Sequence, residues 1–571
     1  MAPFLLRHSP AKPFPLLLVL SALALASCSA SPSAAPPSSN APSAGTPSAS
    51  ASTTPAPPPA APLPDTGSRP LGWGPSQRDQ DAAAAAVAAM SPEQKAGQVL
   101  LPFFKGNQVE AHAALIQRLH LAGSIIMGDN VPRDAQGRVD AAAMGAVNQR
   151  LMQAVAADGR HWPGIIGVDQ EGGAVARLGA PLTEWPMPMS YGAAGNDALT
   201  RQAGKGLAAE LVPLGFDLDF APDTDVTIGP QDPTIGARSM SADPAAAATQ
   251  GVAFSQGMLV AGVLPTVKHF PGHGSVTADS HLSLPVQPAS LDALRGRDWK
   301  PFQAAVAAGL PVVMTGHIAV PALEPGVPSS LSAASYAALR GLGFKGVAVT
   351  DALNMGAVDS QYPAGAAAVK ALAAGADLLL MPADVEQAHA AIVQALAGGT
   401  LPAARLDEAA QRVATMMIWH ARTTPAPGTP GAGAPAGSGA ALSAQVSASA
   451  VTVVSGPCKG PLVPGAVRVA GGGPGDRERF EAAAARAGLT VGSGPLVSLI
   501  GFGGKPAGGD IAVSLDAPWP LQGSTAPVKI ALYGRTDAAF DALAAVLAGK
   551  APAPGKLPAA VGPFPAGTGC P

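Results

Sequence analysis

The chain is 571 residues long, with 13% charged residues, a formal net charge of −3 at pH 7, and 60 prolines beside 67 glycines. Its lysines and arginines are few and scattered, which leaves no electrostatic footprint for nucleic acid, so no such partner is expected. The length exceeds what one hydrophobic core ordinarily takes and points to more than one domain.

The first segment sets Arg7 and Lys12 ahead of an apolar run, Pro15 to Ala26, too short for a membrane-spanning helix and read as a secretory signal. It ends in Leu25-Ala26-Ser27-Cys28, which resembles the lipobox of bacterial lipoproteins, where cleavage precedes the cysteine and that cysteine is acylated. The resemblance implies a signal peptide over 1–27 and a lipid on Cys28 as the only membrane attachment. It also implies an extracytoplasmic protein anchored to the cell membrane; an ordinary signal peptide with a stray cysteine is the alternative. Residues 28–66 are almost wholly Ser, Pro, Ala and Thr, with too little apolar surface to offset the entropy of folding, and read as an extended tether.

Residues 67–422 alternate short apolar runs with Ala-rich helical stretches. Ser91-Pro92-Glu93-Gln94 starts a helix: a Ser cap, Pro at the first helical position and Gln three residues after the cap. Eight strands are expected, at Gln98–Phe104, Gly123–Met127, Gly164–Asp169, Asp217–Pro222, Leu264–His269, Pro311–His317, Gly346–Asp351 and Ala376–Pro382. Most are continuous apolar runs, as strands covered on both faces should be. Eight such units without a Gly-rich phosphate fingerprint after the first strand fit a (β/α)8 TIM-type barrel better than an open sheet, with a helix around Leu406–His420 closing it.

Residues 423–440 read as a Pro/Gly/Ala/Ser linker. Residues 441–571 read as a smaller α/β domain with an open, mostly parallel sheet, its strands at Val451–Val454, Val467–Ala470, Leu496–Ile500, Ile511–Leu515 and Val528–Tyr533. Its cysteines, Cys458 and Cys570, form either one disulfide, given an oxidising exterior, or two buried thiols. They lack metal-site spacing, so no metal is expected.

The strands end in polar residues that a barrel gathers at its C-terminal rim, where barrel active sites lie. Strand three runs into Asp169-Gln170-Glu171, strand four into Asp223 and Asp225, strand five ends Lys268-His269, strand six His317, and strand seven Asp351. One polar strand end usually just meets solvent; five together do not have that explanation. His269, His273, His281 and His317 fall in the same stretch.

Lys268-His269-Phe270-Pro271-Gly272-His273-Gly274, followed by Asp279-Ser280-His281, resembles glycoside hydrolase family 3, and within it the bacterial β-N-acetylglucosaminidases. Ile166 to Gly173, Phe220-Ala221-Pro222, Ile235 to Ser239 and Thr350 to Ala357 carry the likeness through about Ala84–His420. A weaker likeness to the family's second domain includes Gly555-Lys556-Leu557-Pro558. The resemblance implies Asp351 as nucleophile and His281 as acid/base, with Asp169, Arg177, Arg238, Lys268 and His269 binding the sugar. His273 and His317 are assigned to tying down loops behind the site. Small residues at Gly173 to Ala176, where relatives often carry larger ones, and Ala237, where an acid is common, are departures. Met187, Met189, Met314 and Met381 read as core filler.

Imidazole suits a group that must give and then take a proton. In an extended loop residues i and i+2 face one way, so Asp279 is expected to hold the other ring nitrogen of His281. The expected activity is a retaining exo-β-N-acetylglucosaminidase acting by hydrolysis on peptidoglycan fragments or related glycans, as a monomer and without a cofactor. The alternatives are a β-glucosidase of the same family and a non-catalytic cell-wall-binding lipoprotein. The first takes its acid/base Glu from the second domain, where only Glu478 and Glu481 stand; the second predicts erosion at Asp351, His281 or Asp279, all present.

Overall fold

The computed structural model describes residues 68–425, 433–501 and 503–571. The expected signal peptide, Cys28 and the tether lie outside the described residues.

All eight expected barrel strands form: β1 Leu100–Leu101, β2 Gly123–Ile126, β3 Ile165–Val168, β4 Leu218–Asp219, β5 Leu264–Phe270, β6 Val312–Thr315, β7 Val347–Thr350 and β8 Leu379–Leu380. Every residue in them is buried. β2 to β7 pair in parallel in chain order, and β1 pairs in parallel with β8. The ring closes through a parallel bridge between Val349 and Leu378 on one side. On the other, the amides of Ala122 and Ile125 donate to the carbonyls of Leu100 (3.2 Å) and Pro102 (3.0 Å). The fold is a (β/α)8 barrel followed by a second α/β domain.

The strands are shorter than their apolar runs. Gln98, expected to open β1, instead ends the helix Pro92–Gln98, and its side-chain amide donates to the His120 carbonyl at 2.9 Å. That helix begins as expected: the Gln94 amide donates to Ser91 Oγ and the Ser91 amide to Gln94 Oε1. Helix Pro244–Ala261, after β4, shows the local logic of the outer ring. Asp243 caps its start, Pro244 takes the first position where no N–H is missed, and Gly262 ends it with a positive φ of 96°. Helix Ala403–Thr423 seals the barrel against Gln77–Ala88, where Arg422 makes a two-pronged bond to the buried Asp79.

The C-terminal domain starts with helix Ala440–Ala450 and has strands β9 Thr452–Ser455, β10 Ala466–Gly471, β11 Thr490–Ile500, β12 Ile511–Ser514 and β13 Val528–Ala531. Their order is β9-β13-β12-β11-β10, parallel except for the antiparallel edge strand β9. β11 starts six residues before the expected Leu496, at Thr490. Helices Pro474–Arg486 and Asp537–Leu547 pack together through Phe480 and Phe540.

Three apolar clusters hold the two domains. One fills the barrel and one the C-terminal sheet; the third joins Met187, Met189 and Ala237 of the barrel to Ile500, Leu521 and Tyr533 of the second domain. The second half of the expected linker is strapped to the barrel. Buried Glu210 accepts from the amides of Gly437 (3.0 Å) and Gly439 (2.8 Å), as well as from the amide and hydroxyl of Thr183. Gly555-Lys556-Leu557-Pro558 docks on the barrel too, the Pro558 carbonyl accepting from Ala242 N and Ser241 Oγ. Among the described residues no helix is long and apolar enough to cross a membrane.

Cys458 and Cys570 are disulfide-bonded at a sequence separation of 112, closing a loop that contains β10 to β13 of the second domain but not its first helix or β9. Cross-links stabilise chiefly by restricting the unfolded chain, so Cys570→Ser should cost about 2–4 kcal/mol in urea unfolding of the second domain. A transition at the same midpoint as wild type would mean the bond contributes nothing.

Candidate active site

The C-terminal rim of the barrel opens into a cavity of about 330 Å³ lined by Asp169, Arg177, Arg238, Lys268, His269, His273, His281 and Asp351. Of the sequence-predicted site residues only Asp279 and His317 stand behind the lining, each bonded into it or next to it. Every lining residue comes from the barrel.

Asp351 follows β7 directly. Its amide donates to the Thr315 carbonyl of β6 (2.9 Å), and its Oδ1 accepts from the Ala352 amide (2.8 Å). Burial pushes its carboxyl up, but His317, His269, the Ala352 amide and Lys268 more than reverse this, holding it at about 2. The imidazoles act so only in acid, where they are protonated; at neutral pH the Ala352 amide and the Lys268 ammonium remain. Burial lowers the His317 imidazole; its Nε2 donates to the Ala352 carbonyl (2.8 Å) and its Nδ1 lies 2.6 Å from Ser330 Oγ. It therefore ties down the loop that carries the nucleophile candidate.

His281 stands on the loop after β5, its side chain 61% exposed, with Nδ1 2.7 Å from Asp279 Oδ1. The pairing is as expected, but the backbone is not. The loop is a turn, in which Asp279 Oδ1 also accepts from the His281 amide (2.9 Å) and the Asp279 carbonyl from Leu282 and Ser283. A short carboxylate bonding its own backbone two residues on brings i and i+2 together without extended geometry. Burial raises the Asp279 carboxyl, and the His281 amide and ring overcome this and lower it.

Three bonds hold this turn in place. Buried His273 reaches Ser280 Oγ through Nε2 (2.8 Å), and the carbonyls of Ser280 and His281 accept from the amides of Ala357 (3.2 Å) and Gly356 (3.1 Å). Gly356 lies five residues beyond Asp351, so the two candidate catalytic loops are bonded to each other. A Cβ at Gly356 would sit 2.7 Å from the His281 carbonyl oxygen.

The cations of the site converge on Glu171, which the motif included and to which no role was given. Arg238 grips its carboxylate with two bonds (2.9 and 2.7 Å) and Lys268 Nζ lies 2.6 Å away. Burial raises this carboxyl, while Arg238 and Lys268 pull it far below the ordinary carboxylate range. Asp169 pairs with Arg177 (3.0 Å) and Lys268 (3.4 Å). The i, i+2 spacing of Asp169 and Glu171 in an extended segment was the signal that could have found it. Met314 and Met381 are buried in the barrel core, as expected, and also line the cavity, whereas Met187 and Met189 lie in the interdomain cluster.

Beneath His269 lie Asp223 and Asp225, whose oxygens stand within 4.8 Å of the imidazole and of each other, a donor set suited to a divalent cation. The positive charge there is already Arg238, 3.3 Å from Asp223. Asp225 is also occupied, accepting from the His269 ring (2.7 Å) and the His273 amide (2.6 Å). Burial, with the neighbouring acids, pushes Asp225 up to about 7 and raises Asp223; burial lowers His269 to about 4. His269 is thus neutral, its Nδ1 sharing one proton with Asp225 across the 2.7 Å bond.

Residues 91–416 match the family model described as glycosyl hydrolase family 3 N terminal domain. The chain belongs to glycosyl hydrolase family 3. It is 33% identical over 344 residues to the β-hexosaminidase LpqI of Mycobacterium tuberculosis, a match covering 58% of this chain and 83% of that one. A β-hexosaminidase of Stenotrophomonas maltophilia is 38% identical over 239 residues, 40% of this chain and 71% of its own. Among solved structures, the family 3 β-N-acetylglucosaminidase from Paenibacillus sp. str. FPU-7 superposes with a TM-score of 0.74 at 28% identity, covering 83% of this chain and 99% of that one.

As a family 3 glycoside hydrolase, the protein offers an ionised strand-end carboxylate and an oriented imidazole on one cavity, with charged donors beside them. Because Asp351 is lower folded than its ordinary value near 3.8, it contributes stability that is full above that value and lost as the pH falls through about 2. Relative to Asp351→Asn, wild type should therefore lose on the order of 2 kcal/mol between pH 5 and pH 2. Urea midpoints at stepped pH check this, and a constant difference between the two proteins would contradict it.

Proposed function

We propose that the protein removes terminal β-linked N-acetylglucosamine by a retaining double displacement. The observation that carries this is one cavity lined by both Asp351 and a His281 whose Nδ1 rests on Asp279 at 2.7 Å. The names of the relatives, β-hexosaminidases and a β-N-acetylglucosaminidase, support the choice of sugar.

In the first half-reaction an Asp351 oxygen bonds to the anomeric carbon as the glycosidic bond breaks, and protonated His281 gives its Nε2 proton to the departing oxygen. Asp279 stabilises the imidazolium and fixes its tautomer through Nδ1. In the second, neutral His281 takes a proton from water, whose oxygen attacks the same carbon and releases Asp351 as carboxylate. Lys268, Arg177 and Arg238 donate to sugar hydroxyls and Asp169 accepts from them. Each buried polar group left unpaired by a wrong sugar costs about 1–3 kcal/mol.

The β-glucosidase alternative is disfavoured by its acid. Glu478 and Glu481 are exposed on helix Pro474–Arg486, and among the described residues none of the second domain lines the cavity. Peptidoglycan fragments are the proposed substrate, met outside the membrane by a monomer anchored through Cys28; the lipobox resemblance supports that address. Hydrolysis fits it better than phosphorolysis, which would discard the energy of a sugar phosphate outside the cell.

Purified Ser29–Pro571 should release aryl alcohol from an aryl N-acetyl-β-glucosaminide and not from the β-glucoside, with or without phosphate. Asp351→Asn should abolish turnover. His281→Ala should slow poor leaving groups by about 10²–10⁴-fold and activated ones far less. Equal losses across leaving groups would remove His281 from the acid role; a glucose preference would favour the β-glucosidase.

A further inference from the structure

Behind the catalytic cavity lies a second one, a cleft of about 560 Å³ between the barrel and the C-terminal domain. The two share a thin wall, the hairpin formed by Gln170–Gly172 and Val175–Ala176. Asp169, Glu171, Val175 and Arg177 line the catalytic side, while Gln170, Gly172, Ala174 and Ala176 line the interdomain side. Alternation along extended chain produces this, so a shift of the hairpin seen from one side is the same shift on the other. Of the small residues that depart from the family pattern, Gly173, Ala174, Ala176 and Ala237 line the cleft, and Ala174 and Ala176 are exposed there.

The hairpin is held from behind at its turn. The Gly173 amide donates to the Trp185 carbonyl (3.0 Å), and the Ala174 amide points at Met187 Sδ (3.2 Å). Gly173 has φ +58°, and a Cβ there would lie 2.2 Å from Met187 Sδ. The segment Glu184–Met187 that provides these contacts is itself gripped by the second domain. Arg479 makes a two-pronged bond to Glu184 (2.7 and 3.1 Å). Ser443 Oγ donates to the Glu184 carbonyl (2.7 Å) and the Met187 amide to the Tyr533 carbonyl (2.9 Å).

We infer that the C-terminal domain serves catalysis without touching substrate, by positioning the sugar-binding hairpin through the Glu184–Met187 segment, with Arg479 as a positioning residue. This rests on the reading that Asp169 and Arg177 bind the sugar. A loosened turn lets those groups wander in ground state and transition state alike, so the loss falls on KM rather than kcat.

The test uses the full secreted chain. Arg479→Ala should raise KM about tenfold with kcat within about threefold, and Arg479→Lys should recover part of the loss. Gly173→Ala, which strains the turn directly where Met187 packs against it and leaves Arg479 in place, should give the same signature. Arg486→Ala removes a different surface ion pair of the domain, that with Asp541, and should leave KM unchanged. Melting temperatures are read alongside: variants that melt early but keep wild-type KM would make the contact merely structural and overturn the inference. KM is read on whichever sugar wild type cleaves, so a β-glucoside preference would count against the proposed function and leave this test standing.

Discussion

Glu171 is wholly buried yet ionised, because Arg238 and Lys268 converge on it from different strand ends. Desolvating one carboxylate and two cations is costly, and the arrangement persists only because each charge finds a close opposite partner. The consequence reaches beyond the three groups. Lys268 also lies near Asp169, and Arg238 near Asp223, so the loops after β3 and β4 and the end of β5 are fixed relative to one another by charge. Asp351 is lowered by Lys268 without an ion pair to it among the described residues, which suits the proposed nucleophile, whose oxygen must stay free.

The barrel acids divide by environment, not by type. Glu171 and Asp351 face cations or directed N–H donors and stay charged, while burial pushes the carboxyl of Asp219, with one backbone donor to it, well above the ordinary range. Asp225 sits between, near neutrality, against a histidine that burial keeps uncharged. Positive charge is thereby concentrated on Lys268 and Arg238, and the imidazoles of His269 and His317 serve as hydrogen-bonding groups.

Much of this was legible in the sequence because barrel strands are buried on both faces and so read as apolar runs, and because the rim residues follow those runs directly. Strand lengths were not legible: Leu100–Leu101 pairs over two residues although the apolar run is longer, since pairing depends on where neighbouring strands diverge. The turn at Asp279 was read as extended, because i, i+2 side-chain proximity has two backbone solutions and sequence does not distinguish them. Glu171 was overlooked for a related reason. Its partners, Arg238 and Lys268, are remote in the chain, and only closure of the barrel makes one carboxylate the meeting point of both.

The coupling between loops gives an exposed histidine the fixed position that its proposed role as proton donor needs. His281 is open to solvent, and solvent exposure alone would leave its ring free to rotate. Asp279 holds the ring, His273 holds Ser280 beside it, and the amides of Gly356 and Ala357 hold the backbone on either side. Those two amides belong to the loop that begins with Asp351, whose start is pinned in turn by His317 on the Ala352 carbonyl. Movement of the histidine loop outward therefore breaks bonds to the carboxylate's own loop. Leu282 at the tip of the turn is exposed, so these few hydrogen bonds, and not apolar packing, hold the turn in place.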